Sequence, residues 1–345
     1  MRVLITGHKG YVGSVLSRVL RNAGFDVYGV DVDLLDGCDF GRTRDDVPGF
    51  DLDLRQLEQT DLLSFDAVVH LAWLPSLGGP QGAIVEECNE RTSVRFAERC
   101  RAARVSRFLF ASTWEVDGLC DQDSGHRRAG AGFPSVNALS KLRTERRILA
   151  LADASFEPLI VRGGECYGVS PRLRLDLSVN RWTASAVTSG TVSVHGNGRA
   201  WRPLVHVEDL ARAYAALLTA PDQILTPRVF PVAAADQNLR WCDIADRVAE
   251  ATNSVRQWVA DDGAAESGVR LDPGVFLEAF PRFGFHWSLE RGIGQLRDAM
   301  IGAGISPSDL RGDRYHRARR LRTMIAGGWS GLRDEFASTA PAMSS

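Results

Sequence analysis

The sequence has no apolar run long enough to cross a bilayer, which takes roughly 18 or more consecutive residues. Its first residues, MRVLITGHKG, lack the charged, apolar and small-residue segments of a signal peptide. Neither charge is in excess, because 41 basic and 43 acidic residues give a formal charge of −2. We therefore expect a cytoplasmic protein that binds a small molecule, with neither nucleic acid nor a membrane as its main partner.

The six cysteines form no CxxC pair and stand at no Cys/His ligand spacing. A zinc site or a disulfide framework is therefore not expected, and most of the thiols are predicted to be buried. The chain of 345 residues is long enough for two lobes, or for one large α/β domain with an appended substrate lobe.

The start of the chain has the pattern of a βαβ unit. Residues 2–6 form an apolar strand, and apolar residues then recur at helical spacing from Val12 to Ala23. Gly24 ends this helix, and residues 25–31 form a second strand. Later strands are predicted at 65–71, 107–112 and 158–162, and helices at about 91–103 and 135–151. This alternation predicts an α/β fold with a Rossmann-type doubly wound parallel sheet.

After about residue 165 the alternation loosens, which predicts a smaller mixed α/β substrate lobe over the carboxyl ends of the strands. The domains are assigned as 1–165 for the Rossmann domain, 166–330 for the substrate lobe and 331–345 for a disordered tail. Further helices are predicted at 175–189, 208–219, 240–251 and 288–302. As an alternative, the helix around 208–219 and a strand around 228–233 return to the first domain. The arginines from Arg311 to Arg322 predict a solvated helix face or a subunit contact.

The turn TGHKGYVG places Gly7, Gly10 and Gly13 between the first strand and the first helix. Glycines there let the backbone approach a pyrophosphate, and the helix N-terminus offers unpaired N–H groups. Asp31 ends the second strand, where a carboxylate accepts hydrogen bonds from a ribose diol and repels a 2′-phosphate. The pattern predicts a dinucleotide site that prefers NAD to NADP, and the alternative is a tight turn without a ligand.

Further motifs follow at regular intervals: DLDLR, VVHLAW, FLFASTWEVDG, SKLRTE and RPLVHVEDLARA. In this order, from residue 2 to about residue 300, the chain resembles the extended short-chain dehydrogenase/reductases, the NAD-dependent epimerase/dehydratase family. The resemblance implies NAD as cofactor, a nucleotide-activated sugar as substrate, and a homodimer. The cofactor contacts that it implies are Gly7, Lys9, Gly10, Tyr11, Val12, Gly13, Asp31, Asp53, Leu54, Leu71, Ala72, Trp73, Asn89, Ser112 and Lys141.

The same resemblance assigns the catalytic chemistry to a Ser/Thr, a Tyr and a Lys, with the Tyr one helical turn before the Lys. Thr113 and Lys141 fall on the first and last of these positions, and Asn137 falls on the Tyr. A carboxamide has no proton to exchange near neutral pH. The difference matters, because positioned general acid–base catalysis contributes about 10²–10⁴-fold to a rate.

Several explanations are open. Glu115 resembles the STxEV glutamate of family members that dehydrate or decarboxylate, and Tyr167 is a second candidate for the proton carrier. Trp114 stands where dehydratases have an aspartate, so a standard 4,6-dehydration is not expected. Alternatively the substrate is already a ketone, and a carboxylate base with Thr113 and Asn137 as oxyanion donors suffices. Otherwise residue 137 was changed in the laboratory, or the site is inactive.

The resemblance also implies substrate contacts. Glu165 replaces an asparagine of the family's sugar-binding loop, and a carboxylate repels a diphosphate unless an arginine intervenes. Asn180 is placed to read the nucleotide base, Arg202 to bind phosphate, and Arg270 to make a second anion contact, with Trp114 beside the sugar.

Sugar epimerisation, by transient oxidation or by enolisation of a keto-sugar, is the first hypothesis. A 4-ketoreductase or decarboxylase and a non-catalytic NAD-binding protein are the alternatives.

Overall fold

The computed structural model describes residues 1–41, 47–120, 135–259 and 268–329. The strands are β1 (Arg2–Thr6), β2 (Asp26–Asp31), β3 (Gly49–Asp51), β4 (Ala67–His70), β5 (Arg107–Thr113), β6 (Glu157–Gly163), β7 (Glu165–Tyr167), β8 (Thr191–His195), β9 (Trp201–His206), β10 (Val229–Val232), β11 (Asn238–Arg240) and β12 (Val255–Val259). The helices are α1 (Tyr11–Asn22), α2 (Gln59–Leu62), α3 (Pro80–Ala102), α4 (Asp117–Cys120), α5 (Val136–Leu149), α6 (Ser178–Ser189), α7 (Val207–Thr219), α8 (Trp241–Thr252), α9 (Gly274–Ala279), α10 (Leu289–Gly302), α11 (Pro307–Arg311) and α12 (Arg317–Ala326). The predicted 331–345 tail lies outside the described residues.

Seven strands form one parallel sheet in the order β10-β6-β5-β4-β1-β2-β3. The predicted α/β, Rossmann-type fold class is therefore confirmed. The strand order reverses between β1 and β4, and ligands of such sheets bind at this reversal, beyond the carboxyl ends of the strands. Two smaller sheets, β11-β9-β7 and β12-β8, belong to the second half of the chain.

The sheet is covered by helices on both faces, which explains why its strands are apolar throughout. In β1, Val3 and Ile5 pack with the residues of α1 and α7, whereas Leu4 packs on the opposite face with those of α3. All three side chains are fully buried. The chain returns to this sheet late, because β10 pairs with β6 and α7 packs on α1.

Helix α3 is longer than the sequence predicted. It begins at Pro80 and not near residue 91, because Gly79, with φ of 70°, turns the chain and proline favours the first position of a helix. Polar and apolar residues are mixed in its first turns, so the apolar periodicity did not predict this part of the helix. The other predicted helices lie close to the observed ones.

The C-terminal arginines, predicted to form a solvated helix face or a subunit contact, are solvated only in part: Arg322 is exposed, whereas Arg317 and Arg320 contact the protein. Helix α12 packs on the protein because Ala318, Leu321 and Ile325 recur on one face, and Leu321 is 1% exposed. Its Arg317 and Arg320 donate hydrogen bonds to backbone carbonyls of the first domain. The apolar spacing was visible in the sequence but was masked by the many arginines between those residues.

Within the four described ranges, no helix is long and apolar enough to span a membrane. The same ranges contain no group of three or more His, Cys, Asp or Glu side chains that could hold a metal ion. Cys38, Cys88, Cys100, Cys166 and Cys242 are free thiols.

Candidate active site

A cavity of about 980 Å³ opens over the carboxyl ends of β1, β2, β4 and β5. The glycine turn, Asp31 and the ends of β4 and β5 form its first wall, and residues of β7, α6 and β9 form its second. Helix α12 borders a third side with Arg317 and Leu321. A cavity of this size is in the range of small-molecule sites, about 300–1,000 Å³.

The glycine turn is as tight as the sequence predicted. Gly7 has φ of 73°, and a Cβ added to it would lie 2.9 Å from the backbone nitrogen of Ala72. A Cβ on Gly13 would lie 2.2 Å from the carbonyl oxygen of Gly7. Gly10 precedes α1, whose first N–H groups have no acceptor within the helix. The turn therefore brings bare backbone and a helix N-terminus to the cavity, as an anionic ligand requires.

Asp31 ends β2, and its side chain lies beside this turn. Its two carboxylate oxygens accept the backbone N–H groups of Lys9 and Asp33, each at 2.9 Å. Each oxygen retains capacity for a further hydrogen bond. The ammonium of Lys9 is 2.5 Å from Asp51 and 3.4 Å from Asp33, so its charge is already matched by carboxylates. This end of the cavity suits hydroxyl groups better than an additional phosphate.

Several predicted cofactor residues line the cavity but use their polar groups within the protein. The Asn89 side chain accepts the backbone N–H of Leu74 at 2.8 Å and donates to the carbonyl oxygen of Leu74 at 3.0 Å. It thereby fixes the loop after β4. Ser112 donates to Glu145, and Asp53 caps the 3-10 turn that contains Leu54. The others that line the cavity are Tyr11, Val12, Leu71 and Ala72.

Lys141, Trp73 and Asn137 form one cluster at the ends of β4 and α5. The Lys141 ammonium donates to the carbonyl oxygen of Ala111 at 2.5 Å and lies 3.8 Å from the centre of the Trp73 ring. The Trp73 indole donates to the side-chain oxygen of Asn137 at 3.0 Å. Burial lowers the pKa of Lys141 to about 7, although Glu86 and Glu145 oppose this shift. The indole therefore contacts both residues of the predicted catalytic helix.

Thr113 and Glu115 stand beside this cluster on the cavity wall. The Thr113 hydroxyl accepts the backbone N–H of Glu115 at 3.4 Å. The Glu115 carboxylate accepts the hydroxyl of Ser135 at 3.0 Å, and Ser135 also caps the start of α5. Ser135 lies at the start of the helix that carries Asn137 and Lys141, and it thus orients the Glu115 carboxylate. A carboxylate and a hydroxyl in this position can act as a base and as a hydrogen-bond donor.

On the opposite wall, Glu165 and Arg202 form an ion pair of 3.7 Å. Glu165 also accepts the backbone N–H of Ser178 at 2.9 Å, at the start of α6. The Arg202 guanidinium lies over the rings of Trp114 and Trp241, at 5.2 Å and 4.7 Å from their centres. An arginine therefore stands beside the carboxylate that would otherwise repel a diphosphate.

Three predicted site residues lie outside the cavity, and these assignments are corrected. Tyr167 is fully buried, its hydroxyl donates to Gln237 at 2.8 Å, and burial raises its pKa far above the ordinary range. Asn180 is also fully buried and binds the backbone N–H of Gly168 at 3.1 Å. Arg270 is exposed and packs on Trp201. Tyr167 and Asn180 support the lobe, and none of the three lines the cavity.

The sequence analysis missed other cavity residues, among them Arg174, Asp176, Arg181 and Arg317. Arg174 pairs with Asp176 at 2.6 Å. A signal was present in RLRLD, because the leucines on either side of Arg174 are buried and force its side chain to another face. No local pattern could have placed Arg317 there, because it comes from the far end of the chain.

Residues 3–233 match the family model described as the NAD dependent epimerase/dehydratase family. The chain belongs to this family. A Bacillus subtilis (strain 168) protein named as an uncharacterized UDP-glucose epimerase is 25% identical over 239 residues, which cover 65% of this chain and 74% of the relative. A trifunctional UDP-glucose 4,6-dehydratase/UDP-4-keto-6-deoxy-D-glucose 3,5-epimerase/UDP-4-keto-L-rhamnose-reductase of Arabidopsis thaliana is 26% identical over 234 residues, 63% of this chain. The match spans only 35% of that relative's length.

Solved structures share the fold. The NAD-dependent NDP-hexosamine 5,6-dehydratase TunA, involved in tunicamycin biosynthesis, superposes with a TM-score of 0.73 at 23% identity, covering 87% of this chain and 98% of that one. MoeE5, in complex with UDP-glucuronic acid and NAD, has a TM-score of 0.71 at 24% identity and covers 88% and 99% of the two chains.

NAD is the cofactor of the family, and the prediction of NAD is confirmed. The cavity fits it in chemical terms. The close approach at Gly7 and Gly13 leaves no room for a side chain at either position, and the carboxylate of Asp31 keeps free acceptor capacity. When bound, NAD supplies a hydride acceptor.

Proposed function

We infer that this protein acts on a nucleotide-activated sugar and epimerises it, with Glu115 as the base. One observation carries the inference. The same cavity holds the dinucleotide turn, the Thr113–Glu115 pair and, on its opposite wall, Arg202 and Arg181. Two anionic ligands, a dinucleotide and a sugar diphosphate, match the positive charge on two of its sides.

Glu115 is the best candidate for the proton carrier that replaces the missing phenol. It is oriented by Ser135 at 3.0 Å and faces the cavity next to Thr113, which can donate to a substrate oxygen. Asn137 has its side-chain oxygen bound to the Trp73 indole, a donor without acceptor capacity. What Asn137 offers to a ligand is therefore its NH₂ group. Trp73 supports a role for Asn137 as a donor to a carbonyl oxygen.

This arrangement favours a keto-sugar substrate over a carbinol. A carbonyl makes the neighbouring C–H acidic, and a carboxylate base with two donors to the developing oxyanion is sufficient for enolisation. In this reaction Glu115 removes the proton, Thr113 and Asn137 hold the enolate oxygen, and a proton from solvent adds to the opposite face of the carbon. Transient oxidation of a carbinol, the second route, needs a base for the hydroxyl proton, and Glu115 would fill that role as well.

Incubation with UDP-sugars and their 4-keto derivatives in D₂O tests the proposal. Enolisation predicts a new epimer that carries solvent deuterium at the inverted carbon, detected by NMR. Transient oxidation predicts a new epimer without deuterium. Net consumption of NADH would identify a ketoreductase, and release of CO₂ a decarboxylase. NAD binding without turnover of any sugar nucleotide would contradict the proposal and favour a non-catalytic protein.

A homodimer and a cytoplasmic location belong to the same proposal. Val136 and Leu139 leave apolar side chains on the surface of α5, 58% and 38% exposed. Such residues are suited to a subunit contact between the lysine helices. Size-exclusion chromatography with light scattering tests this part independently of the reaction.

A further inference from the structure

Helix α12 bridges the two loops on either side of the cofactor site. Arg320 donates to the carbonyl oxygens of Leu34 and Asp36, in the loop after β2. Arg317 donates to the carbonyl oxygen of Trp73, in the loop after β4, at 2.7 Å. These loops follow the two strands that flank β1, and the dinucleotide turn follows β1 itself. The C-terminal segment therefore completes the wall of the cofactor site.

The Arg317 guanidinium faces the cavity without an anionic partner. No ion pair joins it to a carboxylate in the described part of the chain, and its neighbour Arg174 is already paired with Asp176. Burial and Arg174 lower the pKa of Arg317 to about 10, although Asp176 and Asp31 raise it. A partly buried cation that lacks an anion favours a ligand which supplies one.

The position of Arg317 indicates which part of the ligand it meets. The guanidinium is fixed at the carbonyl oxygen of Trp73, at 2.7 Å, and lines the same cavity as Asp31 and Lys141. These two residues fall where the family contacts the two riboses of the dinucleotide, and the pyrophosphate joins those riboses. The backbone next to Trp73 also borders the glycine turn, since Ala72 is the first contact of a Cβ added to Gly7.

We propose that Arg317 of the C-terminal helix binds the pyrophosphate of NAD, from the loop that borders the glycine turn. The guanidinium has donors beyond the one used on Trp73, and an arginine can hold a phosphate through two parallel hydrogen bonds. This role rests on the cofactor of the family and not on the epimerase reaction, so either proposal can fail without the other.

Binding measurements on the full chain with truncated ligands test this role. Dissociation constants for NAD, ADP and adenosine are measured by calorimetry with wild type and Arg317→Gln. A charge-assisted contact to phosphate predicts that Arg317→Gln binds NAD and ADP about 10- to 100-fold more weakly. Adenosine, which has no phosphate, should bind equally well to both. Arg322→Gln is the matched control, since it removes the same charge from an exposed site on the same helix and should change none of the three constants.

Other results would overturn the proposal. Equal affinities of wild type and Arg317→Gln for ADP would exclude a phosphate contact. A loss of UDP affinity with unchanged NAD affinity would place Arg317 at the sugar nucleotide. An equal loss for adenosine and ADP would reduce its role to holding α12 in place. Arg317→Lys, which keeps the charge, should regain part of the ADP affinity, and it serves as the second variant if Arg317→Gln has a lowered melting temperature without ligand.

Discussion

The indole of Trp73 donates a hydrogen bond of 3.0 Å to the side-chain oxygen of Asn137, one helical turn before Lys141. The resemblance to the family implies a tyrosine where this chain has Asn137. The Trp73 ring also covers the Lys141 ammonium at 3.8 Å. Asn137 is therefore part of a packed cluster with Trp73 and Lys141.

A double-mutant cycle should detect this bond. Trp73→Phe keeps a ring over Lys141 but removes the indole N–H, and Asn137→Ala removes the acceptor. The two substitutions together should cost less than the sum of their separate effects, by about 0.5–1.5 kcal/mol in the free energy of unfolding. Urea unfolding of wild type, the two single variants and the double variant measures this difference in free energy. Effects that add within about 0.3 kcal/mol would contradict the bond.

Glu115→Gln should lower turnover of the sugar nucleotide by at least about 100-fold, because an amide cannot accept the proton. The hydrogen bond from Ser135 can be kept by the amide oxygen, so the fold and the NAD dissociation constant should not change. Glu87→Gln is the matched control on α3, with a side chain that is 73% exposed. A fully active Glu115→Gln variant would remove Glu115 from the mechanism.

The stability of the protein should rise with pH above neutrality because of Lys141. Burial lowers its folded pKa from 10.5 to about 7, so between these values the unfolded chain binds a proton that the folded chain does not. Each pH unit in this window should then add about 1.4 kcal/mol to the free energy of unfolding. From about pH 7.5 to about pH 9.5, wild type should gain about 2–3 kcal/mol more than Lys141→Met in urea unfolding. Comparison of the two proteins cancels the titration of other groups, and parallel profiles would contradict the shift.

Asp31 should give the protein a preference for NAD over NADP, because its carboxylate repels a 2′-phosphate and accepts hydrogen bonds from a ribose diol. Calorimetric titration with both dinucleotides measures the ratio of dissociation constants, and Asp31→Asn should reduce it. Asp36→Asn removes the same charge from an exposed position nearby and should leave the ratio unchanged. Tighter binding of NADP by wild type would refute this role.

Glu165→Gln should strengthen the binding of UDP, whereas Arg202→Met should weaken it by about 10- to 100-fold. The carboxylate lies 3.7 Å from Arg202 and competes with a diphosphate for it. Glutamine keeps an acceptor for the N–H of Ser178 and removes only the charge. If Glu165→Gln also weakens UDP binding, the carboxylate contributes to the site and does not compete with the ligand.

The fold could be predicted from the sequence because its determinants are local. Apolar periods of two and of 3.6 residues identify strands and helices, and the glycine turn of TGHKGYVG needs only its neighbours to form. The family and its cofactor follow from the same short motifs. The start of α3 and the packing of α12 were harder to predict, because polar residues surround the apolar residues that pack these helices against the protein.

The sequence by itself determined the Rossmann-type fold and the glycine turn, and it predicts that Asn137 stands at a catalytic position. Only the tertiary structure decided what surrounds these residues. It removed Tyr167 and Asn180 from the cavity, because their polar groups are used inside the lobe core. It also brought Arg317, from the end of the chain, to the loop that carries Trp73. Contacts between residues 244 positions apart depend on how whole elements pack, and no local pattern encodes them.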